Sequence, residues 1–484
     1  MSCTTLLVGK KATYDGSTMI ARNEDYSYTV KKMIIVNPKD QPRKYKTVAS
    51  HLEIELPDHP MRYSACANDD NKDGVWAAGG NNASNDGMNA YIINSSSSDT
   101  SAADPLVEYK KAEKRGEKDI PGGIGEEDLV VLVLPYIHTA REGVQRLGAL
   151  LEKYGTYEMN GIAFNDAEEA WFLETIGGHH WIARRVKDEE VVIMPNQQGI
   201  DSFDFADAYG KQKEHMCSAD LKDFIEKNHL DLSNDGKLNL RKVFGSRDDS
   251  DHVYNTPRAW FMARYFLPTT YKWDGPDADF TPESDNIPWS FVPENKVTVE
   301  DIKYLLSSHY QGTPYDPYNK IEYPEKAKYR TITTSTTAHS SILQIRGFLP
   351  KEIQAVEWVF FGSSLYNAML PVYTNVEKLP AYLSKVTMDP STENFYWSSR
   401  LINALTDPHY RTCINDVENY KKTMAAKGHQ MILKYDQLME ETKDDSFMQK
   451  ANEDICRMAT KDTAAILDKV LLIACKEMKN TFAR

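Results

Sequence analysis

The chain has 484 residues, 41% hydrophobic and 26% charged, the balance of an ordinary globular protein long enough to bury a large core without staples. Its 71 acidic and 57 basic residues leave a formal net charge of −14 with no long Lys/Arg tract, which argues against nucleic acid and anionic membranes as partners. Six cysteines (Cys3, Cys66, Cys217, Cys413, Cys456 and Cys475) form no CxxC pair and no Cys/His cluster of zinc spacing, so free thiols in a reducing compartment and no metal site are expected.

The amino terminus, Met-Ser-Cys-Thr-Thr-Leu-Leu-Val-Gly-Lys-Lys, lacks the basic and apolar regions of a signal peptide. No apolar run approaches the ~20 residues of a membrane span, and a cytoplasmic location is the expectation. From about 1 to 100 the chain reads as β-rich. Thr4 to Val8 and Thr18 to Arg22 form a hairpin around Tyr14-Asp15-Gly16-Ser17, Met33 to Val36 continues the pattern, and further strands are expected near 52–56, 63–67 and 88–93. Helical spacing takes over from Pro105 to about Tyr154: Leu106, Val107, Tyr109 and Ala112 share one face, Glu126-Glu127-Asp128 precede an apolar stretch, and 141–151 reads as an amphipathic helix. Strands return between Gly161 and Met194, separated by Asn165-Asp166 and Gly177-Gly178. A polar, aromatic middle of loops and short helices runs from about 200 to 335, with a long surface loop at 274–293. From about Thr412 the chain is helical, with Leu467, Val470, Leu471 and Ala474 on one face.

The chemistry starts at Cys3, which opens a strand. If Met1 and Ser2 leave, this residue carries both a thiol and an α-amine, and an α-amine with a pKa of about 7.7–8.0 can act as general base near neutrality without a separate histidine. Position alone favours the plainer reading, a buried strand cysteine with its leader attached. In Ala21-Arg22-Asn23-Glu24-Asp25, Arg22 could hold a thiolate by charge and Asp25 could orient a terminal ammonium, although an Arg and an Asp three apart also suit an exposed ion pair.

Cys3-Thr4-Thr5 followed by Asp15-Gly16-Ser17-Thr18 and by Ala21 to Asp25 resembles the bacterial dipeptidase A family, cysteine peptidases with an N-terminal nucleophile that are related to penicillin V acylases and bile salt hydrolases. The likeness recurs in Gly80 to Asn85, Ala103 to Val107, Glu174 to Trp181, Met194 to Gln197, Tyr254 to Arg258, Leu349 to Ile353 and Val356 to Trp358, and spans at least residues 3–375. What it implies is an α+β fold, a four-layer αββα sandwich over 3–380, with a helical extension over 381–484 and a two-residue leader removed on maturation. It implies a cysteine-type dipeptidase working through a thioester on Cys3, flanked by Arg22 and Asp25. Asn82 and Asn196 would stand where the acylases place oxyanion or amine-orienting asparagines, and Arg258 would match their late arginine. Such an enzyme needs no cofactor and no metal. Together with the apolar C-terminal helices, the resemblance makes a homo-oligomer the expectation. An asparagine amide supplies a fixed donor for a tetrahedral intermediate, and losing one typically costs about 10²–10³ in rate. His179 and His180 fall on opposite faces of a strand, so at most one of them could contact substrate.

Two departures bear on substrate and maturation. Ile92-Ile93-Asn94 followed by Ser95 to Ser98 replaces an expected Thr/Glu-rich strand, so part of the pocket wall, and with it substrate preference, can differ. The leader is only Met-Ser: methionine aminopeptidase removes Met1 before a small Ser2, and the Ser2–Cys3 bond must be cut separately, by Cys3 itself. Asp69 to Gly74 begins like a calcium loop but meets Gly80 where a bidentate Glu is required. Three other readings stand beside the dipeptidase: an acylase of non-peptide amides, a non-catalytic scaffold of the same fold, and a papain-like pair of Cys217 with His215 or His252.

Overall fold

The first hairpin shows why this stretch folds locally. Gly16 takes φ of 84°, which only glycine adopts without strain, and Asp15 Oδ1 accepts from Ser17 N at 3.0 Å and from Ser17 Oγ at 2.6 Å, closing an Asx-type turn. The computed structural model describes residues 3–25, 29–68, 81–82, 91–96, 122–233 and 237–479. The expected helical face at 106–112 and the Asp69 to Gly80 stretch lie outside them.

The strands in chain order are β1 (Thr4–Val8), β2 (Thr18–Asp25), β3 (Lys31–Val36), β4 (Lys44–Lys46), β5 (Glu53–Glu55), β6 (Tyr63–Asn68), β7 (Asn81–Asn82), β8 (Tyr91–Ser96) and β9 (Asn160–Asn165). They continue as β10 (Ala170–Gly177), β11 (His180–Val186), β12 (Val191–Met194), β13 (His215–Cys217), β14 (Ser290–Phe291), β15 (Thr337–Ile345), β16 (Ala355–Phe361) and β17 (Leu370–Tyr373). One large sheet has the order β14-β12-β1-β2-β15-β16-β17, the other β13-β11-β10-β9-β8-β7-β6-β3, and β4 and β5 pair with each other apart from both. Neighbours pair antiparallel throughout both.

The two sheets pack face to face. Leu7, Ile20, Val192 and Leu343 of the first meet Ala163, Phe172 and Ile182 of the second in one apolar cluster. Helix Ala140–Tyr154 covers the outer face of the second sheet, with Val144, Leu147 and Leu151 against Phe164, Trp171 and Trp181. It begins at Thr139, whose side chain accepts from Glu142 N as an N-cap. Gly148 lets it approach closely, since a Cβ there would meet Trp181 ring carbon at 2.2 Å.

Helices Thr256–Phe266 and Val299–Leu306 cover the outer face of the first sheet, joined by Phe395–Thr406, Tyr410–Thr442 and Phe447–Glu477. The layering is therefore helix, sheet, sheet, helix, an α+β fold. A buried ion pair ties sheet to helix: Arg346, just past β15, meets Asp436 at 2.5 Å, and Tyr373 Oη donates to the same carboxylate at 2.6 Å. No helix among the described residues is long and apolar enough to cross a membrane.

Candidate active site

Strand register collects the site. Thr4 lies opposite Asn23 and Thr5 opposite Arg22, so Cys3 stands level with Glu24. On its other side Thr5 lies opposite Met194, which brings Asn196 level with Cys3 as β12 runs out. Alternation puts Cys3, Thr5 and Leu7 on the face turned toward the second sheet, along with Ile20, Arg22 and Glu24. Cys3 is 1% exposed, and Arg22 Nη2 donates to its Sγ at 3.0 Å. Arg22 is itself buried, and its Nε and Nη1 have no hydrogen-bond partner among the described residues.

Electrostatics keep this guanidinium charged. Burial works against the charge of Arg22, but Cys3, Glu24 and Glu126 outweigh it, and the group is held above its ordinary value. Glu24 is sustained in turn. Burial alone would raise it, yet fully buried Lys31 at 2.6 Å, then His339 and Arg22, hold its carboxylate below the usual range. The Cys3 sulfur thus faces the guanidinium of Arg22.

The opposite face of the sheet anchors the backbone. Arg258, from helix Thr256–Phe266, donates through Nη1 to the carbonyl oxygen of Cys3 at 2.7 Å and to Thr4 Oγ1 at 2.6 Å. Its Nη2 donates to Asn255 Oδ1 at 2.6 Å, and its Nε to the carbonyl of Tyr254. Burial, then nearby Arg330, pulls Arg258 well below its ordinary value, while Tyr310, Asp25 and Cys3 support its charge. Asp25 ends β2, and its carboxylate is held by Arg330 and by the Thr337 hydroxyl. The β1–β2 register runs toward Asp25 on the side of Cys3 that carries its nitrogen.

Asn196 takes φ of 82°, a left-handed conformation that asparagine tolerates better than most residues and that clusters at functional sites. The turn behind it is tied to the second sheet. Gln198 Nε2 donates to the Thr175 carbonyl at 2.7 Å, and Glu174 Oε1 accepts from Gly199 N at 2.6 Å and Ile200 N at 3.2 Å. Burial pushes Glu174 up to about 7 against those two donors. A carboxyl that keeps its proton in the fold above its ordinary value of 4.5 contributes stability present in full below that pH and lost as the pH rises to about 7. Glu174→Gln, which cannot ionise, should flatten this part of the profile. Urea midpoints of variant and parent should agree near pH 4.5 and separate in the variant's favour by about pH 8; parallel profiles would refute the assignment.

Cys3, Arg22, Asp25, Asn196 and Arg258 therefore come to one end of the first sheet. Asn82 is placed through its backbone alone, paired with Ser64 and Tyr91 in β7, and its side chain lies outside the described residues. The two histidines belong elsewhere. His179 Nδ1 contacts the carbonyls of Leu151 and Glu152, and His180 stacks on Phe224 with Asp220 at 3.3 Å. Cys217 has its thiol pushed up to about 12 by burial, while His215 faces Asp207 at 3.4 Å and His252 faces Asp285 at 3.0 Å, so both histidines of the papain-like alternative are directed at carboxylates. A cavity of about 900 Å³ opens among Tyr318, Thr333, Tyr366, Trp397 and Asp407, but none of the five gathered residues lines it. Arg330, Thr337 and Lys31 carry no signal in the sequence. Asn255 and Glu174 sit inside matched motifs that assigned them no role.

Comparison with known proteins agrees with the motif reading. The sequence pattern of peptidase family C69 matches residues 2–423. A dipeptidase of Bifidobacterium longum is 53% identical over 443 residues, covering 90% of this chain and 83% of that protein. A probable dipeptidase A of Streptococcus pyogenes is 46% identical over 489 residues, covering 100% and 98%. Among solved structures, a penicillin V acylase from Agrobacterium tumefaciens overlaps 77% of this chain and 86% of its own with a TM-score of 0.32 at 13% identity. The family match begins beside Cys3, takes in all the gathered residues and ends within the helix Tyr410–Thr442, so this chain belongs to peptidase family C69.

Proposed function

We propose that the chain is a cysteine-type dipeptidase whose nucleophile is Cys3, freed as the amino-terminal residue when Met1 and Ser2 are removed. The observation that carries this reading is the 3.0 Å contact of Arg22 with Cys3 Sγ at the head of a central strand. In this reading the freed α-amine takes the thiol proton, and the thiolate, facing Arg22, attacks the peptide carbonyl. Asn196 and Asn82 donate to the oxygen as it gains charge. The C–N bond then breaks, the α-ammonium returns a proton to the leaving amine, and a thioester remains on Cys3. Water, deprotonated by the same amine, hydrolyses it and frees the thiol.

Asp25, fixed by Arg330 and Thr337, steadies the ammonium form, and Arg258 holds the Cys3 carbonyl. The Ser2–Cys3 bond is cut by Cys3 itself. The relatives named as dipeptidases support dipeptides over non-peptide amides as substrates. A cytoplasmic, homo-oligomeric enzyme completes the proposal, with 381–484 as an extension of a 3–380 hydrolase unit. Purified protein given a panel of dipeptides in EDTA should release free amino acids; a panel left intact, while phenoxymethylpenicillin or a glycine conjugate is cleaved, would move the assignment to the acylases.

A further inference from the structure

The outer layer of the first sheet carries a second set of polar groups, around the cavity of about 900 Å³. Trp397, Arg400, Ala404 and Asp407 all line it, and residues spaced by three or four share one side of a helix. One face of Phe395–Thr406, with the residue that ends it, is therefore a wall of the cavity. Asp407 lies seven residues beyond Arg400, about 10 Å along the axis. The wall is negative at one end. Asp407 Oδ1 accepts from Tyr318 Oη at 2.7 Å and from Tyr366 Oη at 2.8 Å, and Oδ2 has no hydrogen-bond partner among the described residues. The other end is positive. Arg400 Nη1 donates to the Ser335 carbonyl at 3.1 Å and Nε to Tyr396 Oη at 3.2 Å, which fixes the charge in place. Trp397 spends its indole N–H on the Thr387 carbonyl at 2.9 Å, so what it and Leu365 add to the lining is apolar.

An independent sign of a ligand comes from His309. It is only 6% exposed, its ring lines the cavity, and its Nδ1 donates to Asp316 Oδ1 at 2.8 Å. Its Nε2 has no hydrogen-bond partner among the described residues. A polar atom so buried is costly unless something meets it, and here the open side is the cavity. The next residue, Tyr310, is held at φ of 65°, a left-handed backbone that a bulky side chain adopts only where its surroundings impose it.

We propose that this cavity is a second peptide site, separate from Cys3, which takes a dipeptide as its zwitterion. The ammonium meets Asp407, the carboxylate meets Arg400, the peptide unit bonds His309, and apolar side chains rest on Trp397 and Leu365. Charge spacing selects the length. An extended dipeptide spans about 7 Å, and a charge-assisted hydrogen bond of about 2.8 Å at each end lets it bridge the wall. A free amino acid, with its charges on one carbon, reaches one end alone. This assignment rests on the placement of charge and not on hydrolysis at Cys3. Thr333, also in the lining, lies between Arg330 and Thr337, the two residues that hold Asp25, so the site adjoins the segment that fixes the end of β2.

The test is a calorimetric titration of leucyl-leucine into Cys3→Ala protein, where Cys3 cannot consume the peptide. Two sites per chain are expected, one beside position 3 and one in the cavity. Ala404→Trp fills the cavity from an exposed position and should remove one of the two. Asp407→Asn keeps an oxygen for the two tyrosines, loses the charge, and should weaken that same site about tenfold or more. Leucine and N-acetyl-leucyl-leucine should bind the cavity at least about tenfold more weakly than leucyl-leucine. An unchanged melting temperature identifies folded variants, and if Ala404→Trp does not fold, Asp407→Asn decides. Folded variants that keep the parental stoichiometry and affinity overturn the proposal, and so does leucine binding the cavity as tightly as leucyl-leucine. A single site that Ala404→Trp abolishes upholds the cavity and counts instead against peptide binding beside Cys3.

Discussion

Cys3→Ala should lose dipeptide hydrolysis, with kcat lower by about 10⁴-fold or more, and should keep Ser2 on the chain. Both effects follow from one atom. In the proposed mechanism the sulfur beside Arg22 is the nucleophile both toward substrate and toward the Ser2–Cys3 bond. Intact mass would therefore give the parent chain beginning at Cys3 and the variant beginning at Ser2. A variant that matures normally assigns the cleavage to another enzyme, and a variant that still hydrolyses dipeptides removes Cys3 from the mechanism altogether. The other thiols offer little substitute. Burial pushes Cys66 well above its ordinary value, Cys217 and Cys456 up to about 12, and Cys413 upward as well. Cys475 is exposed and would label, so alkylation is best measured in a Cys475→Ser background, where a single iodoacetamide should add, at Cys3.

Arg22→Met should lower kcat/KM about 10–100-fold, the worth of one hydrogen bond to a charged group. The variant loses the donor 3.0 Å from Sγ and the positive charge that Cys3 faces. Glu24 keeps Lys31 at 2.6 Å, so its carboxylate is not stranded in the core and the fold should persist. Arg22→Lys should recover part of the loss, since it restores charge without the planar fork. The rate of Cys3 alkylation separates the possible roles. An equal fall in alkylation and hydrolysis means that Arg22 acts on the sulfur. A fall in hydrolysis alone would mean that it acts on the substrate, and parental rates in both would dismiss it.

How much of this was legible in the sequence depended on distance along the chain. Cys3 and Arg22 share a hairpin whose Asp15-Gly16 turn announces itself, and pairing in register is enough to bring them together. Strand β15, which lies between β2 and β16, does not read as a strand. Its residues Thr-Ala-His-Ser-Ser-Ile-Leu-Gln-Ile are all buried, and three of the polar ones donate to side chains of the neighbouring hairpin: Thr337 to Asp25, Ser340 to Asn23 and Gln344 to Asp15. Where both faces of a strand are covered, alternation of apolar and polar residues disappears, and so does the signal it gives. Arg330 reaches Asp25 from 305 residues away, and nothing local marks either as the other's partner. The asparagine at 196 was found through its motif, while its left-handed backbone belongs to the folded chain alone.

The grip of Arg258 on Cys3 and Thr4 bears on what the proposed maturation would do to the chain. New ends of a polypeptide ordinarily fray, because a terminal residue has lost half of its covalent restraint. Here the carbonyl of Cys3 and the hydroxyl of Thr4 are held by one buried guanidinium at 2.7 and 2.6 Å, from a helix packed on the far side of the sheet. The proposed cut before Cys3 would therefore create a chain end with the rigidity of an interior position. Its amine would have few rotations left, its sulfur would stay in register with Arg22, and the entropy of aligning the proposed base, nucleophile and anchor would be spent when the domain folds rather than at each turnover.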